Sequence, residues 1–484
     1  MLSFILCILA LILGYVLYGA FVDRVFGPDP KRETPAVSKA DGVDFIPMPT
    51  WKVFMIQFLN IAGTGPIFGA IMGAKFGPAS YLWIVLGCIF AGAVHDYLSG
   101  MLSVRHGGAG LPELVGNYLG DGTKKVMLVF SLLLLLLVGA VFVYSPALIL
   151  GGLAGDGSRG AIMLWVGIIF IYYIIATLLP IDKIIGRIYP LFAFALLFMA
   201  AALMVCLFIK WPSIPELWDG LGNRGPSVGV LGQPIFPCLF ITIACGAISG
   251  FYATQSPLMA RCLKNEKLGR PVFYGSMITE GLVALIWAAV ASYFFFDGGA
   301  AEVGSDITAA APAVVTKVSR SWLGLLGGIL AILGVVAAPI TSGDTAFRSA
   351  RLIVADFIKF DQKPIRNRLF IGIPLFVAAS VLLWFNVAHA DGFNIIWRYF
   401  GWANQTLAVF TLWTVTVYLV RNKKGCAYLI SLIPAAFMSA VSLTFICIDK
   451  TGLQLPASLN AWIGCSTFII SLLLFFIWHK KVCK

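Results

Sequence analysis

Residues 60–70 read NIAGTGPIFGA and lie inside a long apolar run of the chain. Gly63, Gly65 and Pro66 are poor helix formers, because glycine adds backbone freedom and proline lacks an amide donor. A lipid bilayer tolerates irregular backbone only where it is buried in protein or lines a water-filled cavity. The stretch therefore predicts a membrane helix that is interrupted at a protected place.

The composition indicates that the solvent of this chain is a lipid bilayer. Of 484 residues, 60% are hydrophobic and 12% are charged, whereas soluble domains are about 45–50% apolar and about 25% charged. We attribute the formal net charge of +12 to cytoplasmic loops that face anionic lipid, and not to nucleic-acid binding. No two of the 10 cysteines lie within four residues of each other, which argues against a metal or redox motif.

A window of about 20 residues divides the apolar runs into thirteen candidate transmembrane helices. We therefore predict an all-α integral membrane protein. The ninth candidate is too long for one crossing, and its last part, with Arg348, Arg351 and Lys359, is expected to leave the membrane. The thirteen candidates cover 2–22, 51–73, 78–104, 124–150, 160–180, 187–209, 234–256, 272–296, 322–358, 367–387, 393–420, 425–447 and 460–479.

The lysines and arginines give these helices an orientation. Of 34 such residues, 26 fall in the loops after odd-numbered helices and in the C-terminal tail, and 8 fall in the alternate loops. Cytoplasmic loops carry an excess of positive charge. We therefore expect a multi-pass protein of the plasma (inner) membrane, with its N-terminus outside and its C-terminus in the cytoplasm.

A second interruption occurs five helices after the first. In ITIACGAISGFYATQSP (241–257), two glycines and a serine break an apolar run that Pro257 closes. Because five is odd, the second set of five helices enters the membrane from the opposite side, as in an inverted repeat. The expected parts are an N-terminal helix and cytoplasmic loop (1–50), a first five-helix repeat (51–209), a second, inverted repeat (234–420), and two C-terminal helices with a short basic tail (421–484).

Paired interruptions form a substrate site near the middle of the membrane in inverted-repeat transporters. The alternative is that the glycines only allow close packing, since Gly246 and Gly250 also fit the small-xxx-small spacing of packed membrane helices. The matching positions of the two interruptions favour a site. Its expected substrate-binding residues are Asn60, Gly63, Thr64, Gly65, Cys245, Gly246, Ser249 and Gly250.

Carboxylic acids within the predicted helices are candidates for a coupling ion, because a charge inside a membrane is costly and usually functional. Asp96 follows His95, and the alternative for this pair is a packing role. Glu280 lies about two turns into its helix, so the alternative is that it extends to the cytoplasmic interface. Asp344 follows Thr341 and Ser342.

Oxygen-bearing side chains suit a hard cation such as Na⁺, and the freed carbonyls of an unwound helix add further ligands. The candidates for holding a coupling proton or ion are Asp96, Glu280, Thr341, Ser342 and Asp344. The polar stretch GWANQTLAVF begins at Gly401, and its side chains suit either interhelical hydrogen bonds or the lining of a pathway. The pathway-lining candidates are His95, Trp402, Asn404 and Gln405.

Several stretches together resemble the carbon starvation protein CstA family of bacterial inner-membrane transporters. They are FLNIAGTGPIFGAIMGAKFG, AGAVHDYLSGMLSVRHGG, FITIACGAISGFYATQSP, YGSMITEGLVAL, GVVAAPITSGDTAFRSARLI and FGWANQTLAVF, between residues 58 and 411. The family looks like a branch of the amino acid–polyamine–organocation superfamily, with a LeuT-like five-plus-five fold and extra flanking helices. Its members are linked to uptake of peptides and pyruvate during carbon starvation.

The resemblance implies that the stretches 63–66 and 246–250 frame the substrate. It also implies that Thr341, Ser342 and Asp344 lie where LeuT-like proteins place a coupling-ion ligand. The chain departs from many relatives by reading GTGP in place of GPGP and by its shorter C-terminal region. The identity of the substrate therefore does not follow from the resemblance.

We expect a secondary active transporter that imports pyruvate or short peptides, coupled to H⁺ or Na⁺, with no other cofactor and no nucleic-acid partner. The oligomeric state is not indicated. A membrane-embedded enzyme is disfavoured, because the four histidines show no HExxH or paired spacing. A channel or a non-transporting sensor is a further alternative, which the paired interruptions disfavour. The chain also lacks the GxxxxGK[ST] loop of ATP-driven transport.

Overall fold

The computed structural model describes residues 1–42, 45–154, 158–178, 181–228, 233–362, 364–389, 392–423 and 425–482. Helices and turns make up this part of the chain, and it contains no strand. Within it, ten helices are long and apolar enough to cross a membrane, or up to twelve spans if each of two bent helix pairs counts as one. The protein is therefore an all-helical, multi-pass membrane protein.

Ten long helices, two bent pairs and one shorter helix build the fold. The ten are α1 (Leu2–Phe26), α4 (Ala79–Arg105), α5 (Asp121–Gly152), α6 (Arg159–Thr177), α7 (Tyr189–Lys210), α9 (Glu266–Phe296), α12 (Ile365–Ala388), α13 (Gly392–Asn422), α14 (Leu429–Ile448) and α15 (Ala457–Val482). The bent pairs are α2 (Thr50–Ile61) with α3 (Thr64–Ala74), and α10 (Ala311–Leu330) with α11 (Leu333–Ile358). The shorter helix α8 is Gly250–Ala260, and the loops contain Pro35–Ser38, Leu111–Leu119 and Gly299–Glu302.

Two of the thirteen predicted spans are not simple helices. The interruption predicted within span 234–256 is present, because the helical turns Ile235–Leu239 and Phe240–Thr242 are followed by a non-helical stretch before α8. The predicted span 322–358, which is too long for one crossing, is bent by 53° between α10 and α11, and α10 has a non-helical kink at Gly324. A hydropathy window averages over about 20 residues, so it does not register a break of a few residues.

Two arginines in the last part of α11, a segment that the sequence predicts to leave the membrane, are buried in the protein. Arg348 and Arg351 are each only 4% exposed. Arg348 Nη2 donates to the carbonyl of Ala176 on α6 at 2.9 Å, and Arg351 Nη1 donates to Gln362 Oε1 at 2.6 Å. Protein acceptors therefore replace water around both guanidinium groups, and hydropathy does not register such partners.

The first break, defined as residues 62–63, lies between α2 and α3, whose axes differ by 49°. The amide of Ala62 still donates to Phe58 O at 2.7 Å, and Gly63 then takes a non-helical ψ of −149°. Pro66 lies in the first turn of α3, where amides have no intrahelical acceptor, so its missing donor costs little. The interruption predicted from the sequence is present, with the proline just inside the second half-helix.

The second break, defined as residues 243–249, separates the turn Phe240–Thr242 from α8. Ser249 is extended, with φ −144° and ψ 123°, and α8 begins at the next residue. Helix α3 packs against α9, and α2 packs against α7, α8 and α9. Helix α11 packs against α5 and α2, and α13 packs against α14, α5 and α8. Both breaks therefore lie inside the bundle, away from lipid.

Candidate functional site

The two breaks meet through glycines of α3. A β-carbon added to Gly65 would lie 2.3 Å from Cys245 Sγ, and one added to Gly69 would lie 2.9 Å from Thr242 O. Gly246 faces α9 in the same way, with Ala284 Cβ at 2.6 Å from its added β-carbon. The packing role that the sequence left open therefore applies to these glycines. Because they lack a side chain, α3 and α9 can approach the second break closely.

Polar side chains of α13 hold both ends of the second break. Asn404 Oδ1 accepts from the Phe251 amide at 2.7 Å and from Ser249 Oγ at 2.9 Å, so it caps the start of α8. Gln405 Nε2 donates to the carbonyl of Phe240 at 3.1 Å, near the end of the preceding turn. Both side chains thus serve as interhelical hydrogen-bonding groups, one of the two roles that the sequence allowed.

Gly250 and Trp402, two further residues predicted from the sequence, connect α13 to neighbouring helices. A β-carbon on Gly250 would lie 2.4 Å from the Asn404 carbonyl, so this glycine lets α8 touch α13. Trp402 Nε1 donates to the carbonyl of Ser442 at 3.1 Å, which links α13 to α14 and directs the indole away from the breaks. Because Asn404 occupies the Phe251 amide, that amide is not free to receive a ligand.

The first break contains buried polar groups that have no protein partner in the described part of the chain. Neither polar atom of the Asn60 side chain has a hydrogen bond, and neither does Thr64 Oγ1, although both side chains are 0% exposed. Gln57, one turn before Asn60 on α2, is equally buried and equally unpartnered. Buried polar side chains normally have partners, so such a group indicates an absent water, ion or ligand.

Apolar rings and a serine border the same place. A β-carbon on Gly63 would lie 3.0 Å from the Phe142 ring and 3.4 Å from Ser342 Oγ. The Phe142 ring on α5 contacts the Phe251 ring of α8 edge-on, with centroids 6.3 Å apart. Gly63, at the N-cap of α3, provides no side-chain cap for that helix. The first break therefore combines an uncapped helix N-terminus, polar groups without partners, and the aromatic rings of Phe142 and Phe251.

Two of the predicted carboxyl groups interact with each other, and one of them contacts α8 just after the second break. Asp96 and Glu280 are both 0% exposed and interact electrostatically. His95 Nδ1 lies 2.8 Å from Asp96 Oδ1. The Tyr252 hydroxyl contacts Glu280 Oε1 and lies 2.9 Å from the Cys245 carbonyl. Glu280 therefore faces the second break and does not extend to the cytoplasmic interface.

The third carboxyl group belongs to a different cluster, on α11. Asp344 Oδ2 accepts from the Tyr189 hydroxyl at 3.3 Å, and its Oδ1 lies 3.9 Å from Arg348 Nη2. Ser342 Oγ donates to the carbonyl of Leu59, in the last turn of α2, at 3.1 Å. Thr341 Oγ1 donates to Ala338 O within its own helix. The structure thus brings Ser342 to the first break and separates Asp344 from Asp96 and Glu280.

Sequence reasoning did not propose Gln57, Tyr252 or Arg348 as site residues. Gln57 and Asn60 are spaced by three in an apolar helix, which places them on one face, and this spacing was the available signal. Tyr252 gave no such signal, because its partner Glu280 lies on another helix. Among the described residues, no three His, Cys, Asp or Glu side chains converge as metal ligands.

Cavities lie at both ends of the bundle, and the buried polar groups lie between them. One cavity of about 460 Å³ reaches Thr242 at the edge of the second break and includes Lys75, Arg398 and Lys450. The other, of about 790 Å³, is lined at the opposite end by residues such as His106. Asn60 and Thr64 line neither cavity. Both side chains are 0% exposed, so these polar groups are separated from both cavities.

Comparison with known proteins finds a family and two transporter relatives. A family profile described as carbon starvation protein CstA matches residues 1–151, 157–324 and 323–445. The peptide transporter CstA of Campylobacter jejuni is 28% identical over 89% of this chain and 77% of its own length. The pyruvate/proton symporter BtsT of Escherichia coli is 25% identical over 88% of this chain and 78% of its own length.

Solved transporters share the fold at low sequence identity. The Eremococcus coleocola manganese transporter has a TM-score of 0.57 and 12% identity, covering 91% of this chain and 98% of its own. MhsT in complex with L-phenylalanine has a TM-score of 0.53 and 14% identity, covering 88% of this chain and 97% of its own. The LeuT-like fold expected from the sequence is confirmed, while the boundaries of the two repeats stay a prediction.

Proposed function

The chain belongs to the carbon starvation protein CstA family, and on this premise we propose that it is a secondary active transporter for a small organic carboxylate. Pyruvate and short peptides are the candidate substrates, since the relatives named above are a peptide transporter and a pyruvate/proton symporter. The observation that carries the proposal is the set of buried polar groups without partners at the first break.

The substrate carboxylate is received at the start of α3. A helix N-terminus offers free amides and a partial positive charge, so it binds an anion without a lysine or arginine. Thr64 lies in the first turn of α3, and Asn60 lies in the last turn of α2. Their unpartnered polar atoms supply the remaining hydrogen bonds, while Phe142 and Phe251 exclude water from the apolar part of the substrate.

The coupling ion is a proton in this proposal, and Asp96 and Glu280 are its candidate carriers. Asp344 is the less suitable candidate for holding Na⁺, because the guanidinium of Arg348 already lies 3.9 Å from its carboxylate. A second positive charge there would be repelled by the first. No cofactor beyond the coupling ion enters the proposal.

The chain is oriented with its N-terminus outside and its C-terminus in the cytoplasm, as the distribution of lysine and arginine favours. The cavity containing Lys75 then opens outward, and the cavity containing His106 opens to the cytoplasm. Transport alternates between these two openings by rocking of one group of helices against the rest. Cys426 is exposed after α13, so in a variant whose other nine cysteines are replaced by serine, an impermeant thiol reagent should label Cys426 only in permeabilised cells.

The test is uptake of labelled pyruvate and labelled dipeptides into proteoliposomes under an imposed pH or Na⁺ gradient. A pH gradient should drive accumulation of one of these substrates, and a Na⁺ gradient alone should not. Asn60→Ala should lower uptake about tenfold, because a lost hydrogen bond to a charged ligand is worth about 1.5–3 kcal/mol.

The matched control is Asn386→Ala. Asn386 is also buried and also lacks described partners, but it lies on α12. Its removal should leave uptake within about twofold of the unmodified protein. Equal loss in the two variants, or no uptake of any tested carboxylate by the unmodified protein, would contradict the proposed site.

A further inference from the structure

The hydroxyl of Tyr252 lies between two acceptors and has one proton to give. It is 2.9 Å from the carbonyl of Cys245 in the second break, and it also contacts Glu280 Oε1. A tyrosine hydroxyl donates one hydrogen bond and can accept others. When Glu280 is protonated, its hydroxyl donates to Tyr252 and Tyr252 donates to Cys245 O, so all three groups are satisfied.

Ionisation of Glu280 changes this pattern. A carboxylate only accepts hydrogen bonds, so the single proton of Tyr252 must then serve either Glu280 or the Cys245 carbonyl. The unserved group is buried and costly to leave without a donor. Protonation of Glu280 is thus linked to the hydrogen bonding of one backbone carbonyl in the second break.

The surroundings of Glu280 favour the protonated arrangement in the structure described here. Its second oxygen, Oε2, has no hydrogen-bond partner among the described residues. The titratable groups that interact with it electrostatically are Asp96 on α4, Cys88 on α4, and Tyr252 and Cys245 from the broken segment, and none of these is a cation. Asp96, unlike Glu280, has an imidazole beside it, with His95 Nδ1 2.8 Å from its Oδ1.

The second break also touches the proposed substrate site directly. Cys245 presents its sulfur to Gly65 in the first turn of α3, the helix whose N-terminus receives the carboxylate. Cys245 also accepts a weak contact from Asn404 Nδ2 at 3.5 Å. A shift of the Cys245 backbone therefore has to move either the start of α3 or the cap of α8.

We propose that Glu280 carries the coupling proton and that the Tyr252 hydroxyl links its protonation to the second break. This inference rests on the proposed transport function. The proton enters from outside onto the Glu280 carboxylate and completes the Glu280–Tyr252–Cys245 chain, and the protein changes sides with this chain and the substrate in place. Loss of the proton to the cytoplasm breaks the chain and lets the second break shift, which releases the substrate, so substrate and proton cross together.

The test compares two assays on the full-length protein in proteoliposomes. Net uptake driven by an inside-alkaline pH gradient requires the proton to leave its carrier. Counterflow at equal pH, in which external labelled substrate exchanges for internal unlabelled substrate, requires only that the loaded protein changes sides. Glu280→Gln keeps a donor to Tyr252 and cannot release it, so it reproduces the protonated hydrogen-bond pattern.

Glu280→Gln should lower gradient-driven uptake by at least about tenfold while counterflow stays within about twofold and loses its pH dependence. Tyr252→Phe should also uncouple uptake from the gradient. The matched control is Tyr274→Phe, because Tyr274 is a buried tyrosine that donates to the Ile89 carbonyl at 3.0 Å with no carboxyl group beside it. This control should keep uptake within about twofold.

Other outcomes separate the inference from the function on which it rests. Gradient-driven accumulation by Glu280→Gln at the unmodified level would overturn the inference and leave the transport function standing. Loss of coupling in Asp96→Asn together with full coupling in Glu280→Gln would overturn it by moving the proton to Asp96. Failure of the unmodified protein in both assays would overturn the proposed function and the inference with it.

Discussion

Replacing Asn404 by alanine should weaken the protein strongly, because one side-chain oxygen serves two buried donors. Asn404 is 0% exposed, and its Oδ1 accepts from the Phe251 amide at 2.7 Å and from Ser249 Oγ at 2.9 Å. Loss of a helix cap costs about 0.5–2 kcal/mol. A buried hydroxyl left without its acceptor costs about 1–3 kcal/mol, so we expect a loss of about 1.5–5 kcal/mol in the free energy of unfolding.

The assay is reversible denaturant unfolding in mixed micelles, with Asn386→Ala as the control. Both asparagines are buried in the bundle, but Asn386 makes no described hydrogen bond. The control should therefore lose no more than about 1 kcal/mol. An Asn404→Ala variant that loses no more than this control would refute the idea that Asn404 of α13 stabilises the second break.

Three further predictions concern other contacts of the breaks and of the ends of the bundle. Gly65→Ala should destabilise the protein by about 1–3 kcal/mol through overpacking. A second change, Cys245→Gly, should recover part of that loss in the same unfolding assay. A Gly65→Ala variant as stable as the unmodified protein would disprove the contact. Arg348→Gln should lower the free energy of unfolding by about 3–5 kcal/mol, because it leaves Asp344 unpaired. The double variant with Asp344→Asn should regain more than half of that loss. Additive losses would show that the two residues do not act as a pair. Lys75→Met should raise the KM for an anionic substrate at low ionic strength and have less effect at high salt, and a salt-independent effect would argue against electrostatic attraction at that cavity.

The sequence predicted local features of the chain, but it did not predict which residues contact each other across helices. It located both interruptions, because glycine and proline weaken a helix wherever they occur in it. It also named Glu280 and Asn404 as polar groups at depth, but it left open whether each was structural, interfacial or functional. The structure decided against an interfacial position for Glu280 and gave Asn404 a capping role, since both depend on residues far away in the chain.

Two other segments show the same limit. The segment with Arg348 and Arg351 was predicted to leave the membrane because of its positive charges, and the sequence did not indicate the protein partners of these arginines. In the structure, acceptors on α6 and in the loop after α11 replace that water. The interruption within the predicted span 234–256 was indicated by its glycines, but the sequence did not indicate that Asn404 and Gln405 of α13 bind its two ends.

The sequence by itself determined that this chain is a multi-pass membrane protein and where two of its helices are interrupted. These follow from composition and from backbone chemistry, which act residue by residue. Only the tertiary structure decided that NIAGTGPIFGA faces the second break through Gly65, that Asn60 and Thr64 stay unpartnered beside it, and that Tyr252 joins Glu280 to a backbone carbonyl. Such pairings depend on which helices are neighbours, and no local pattern of residues specifies them.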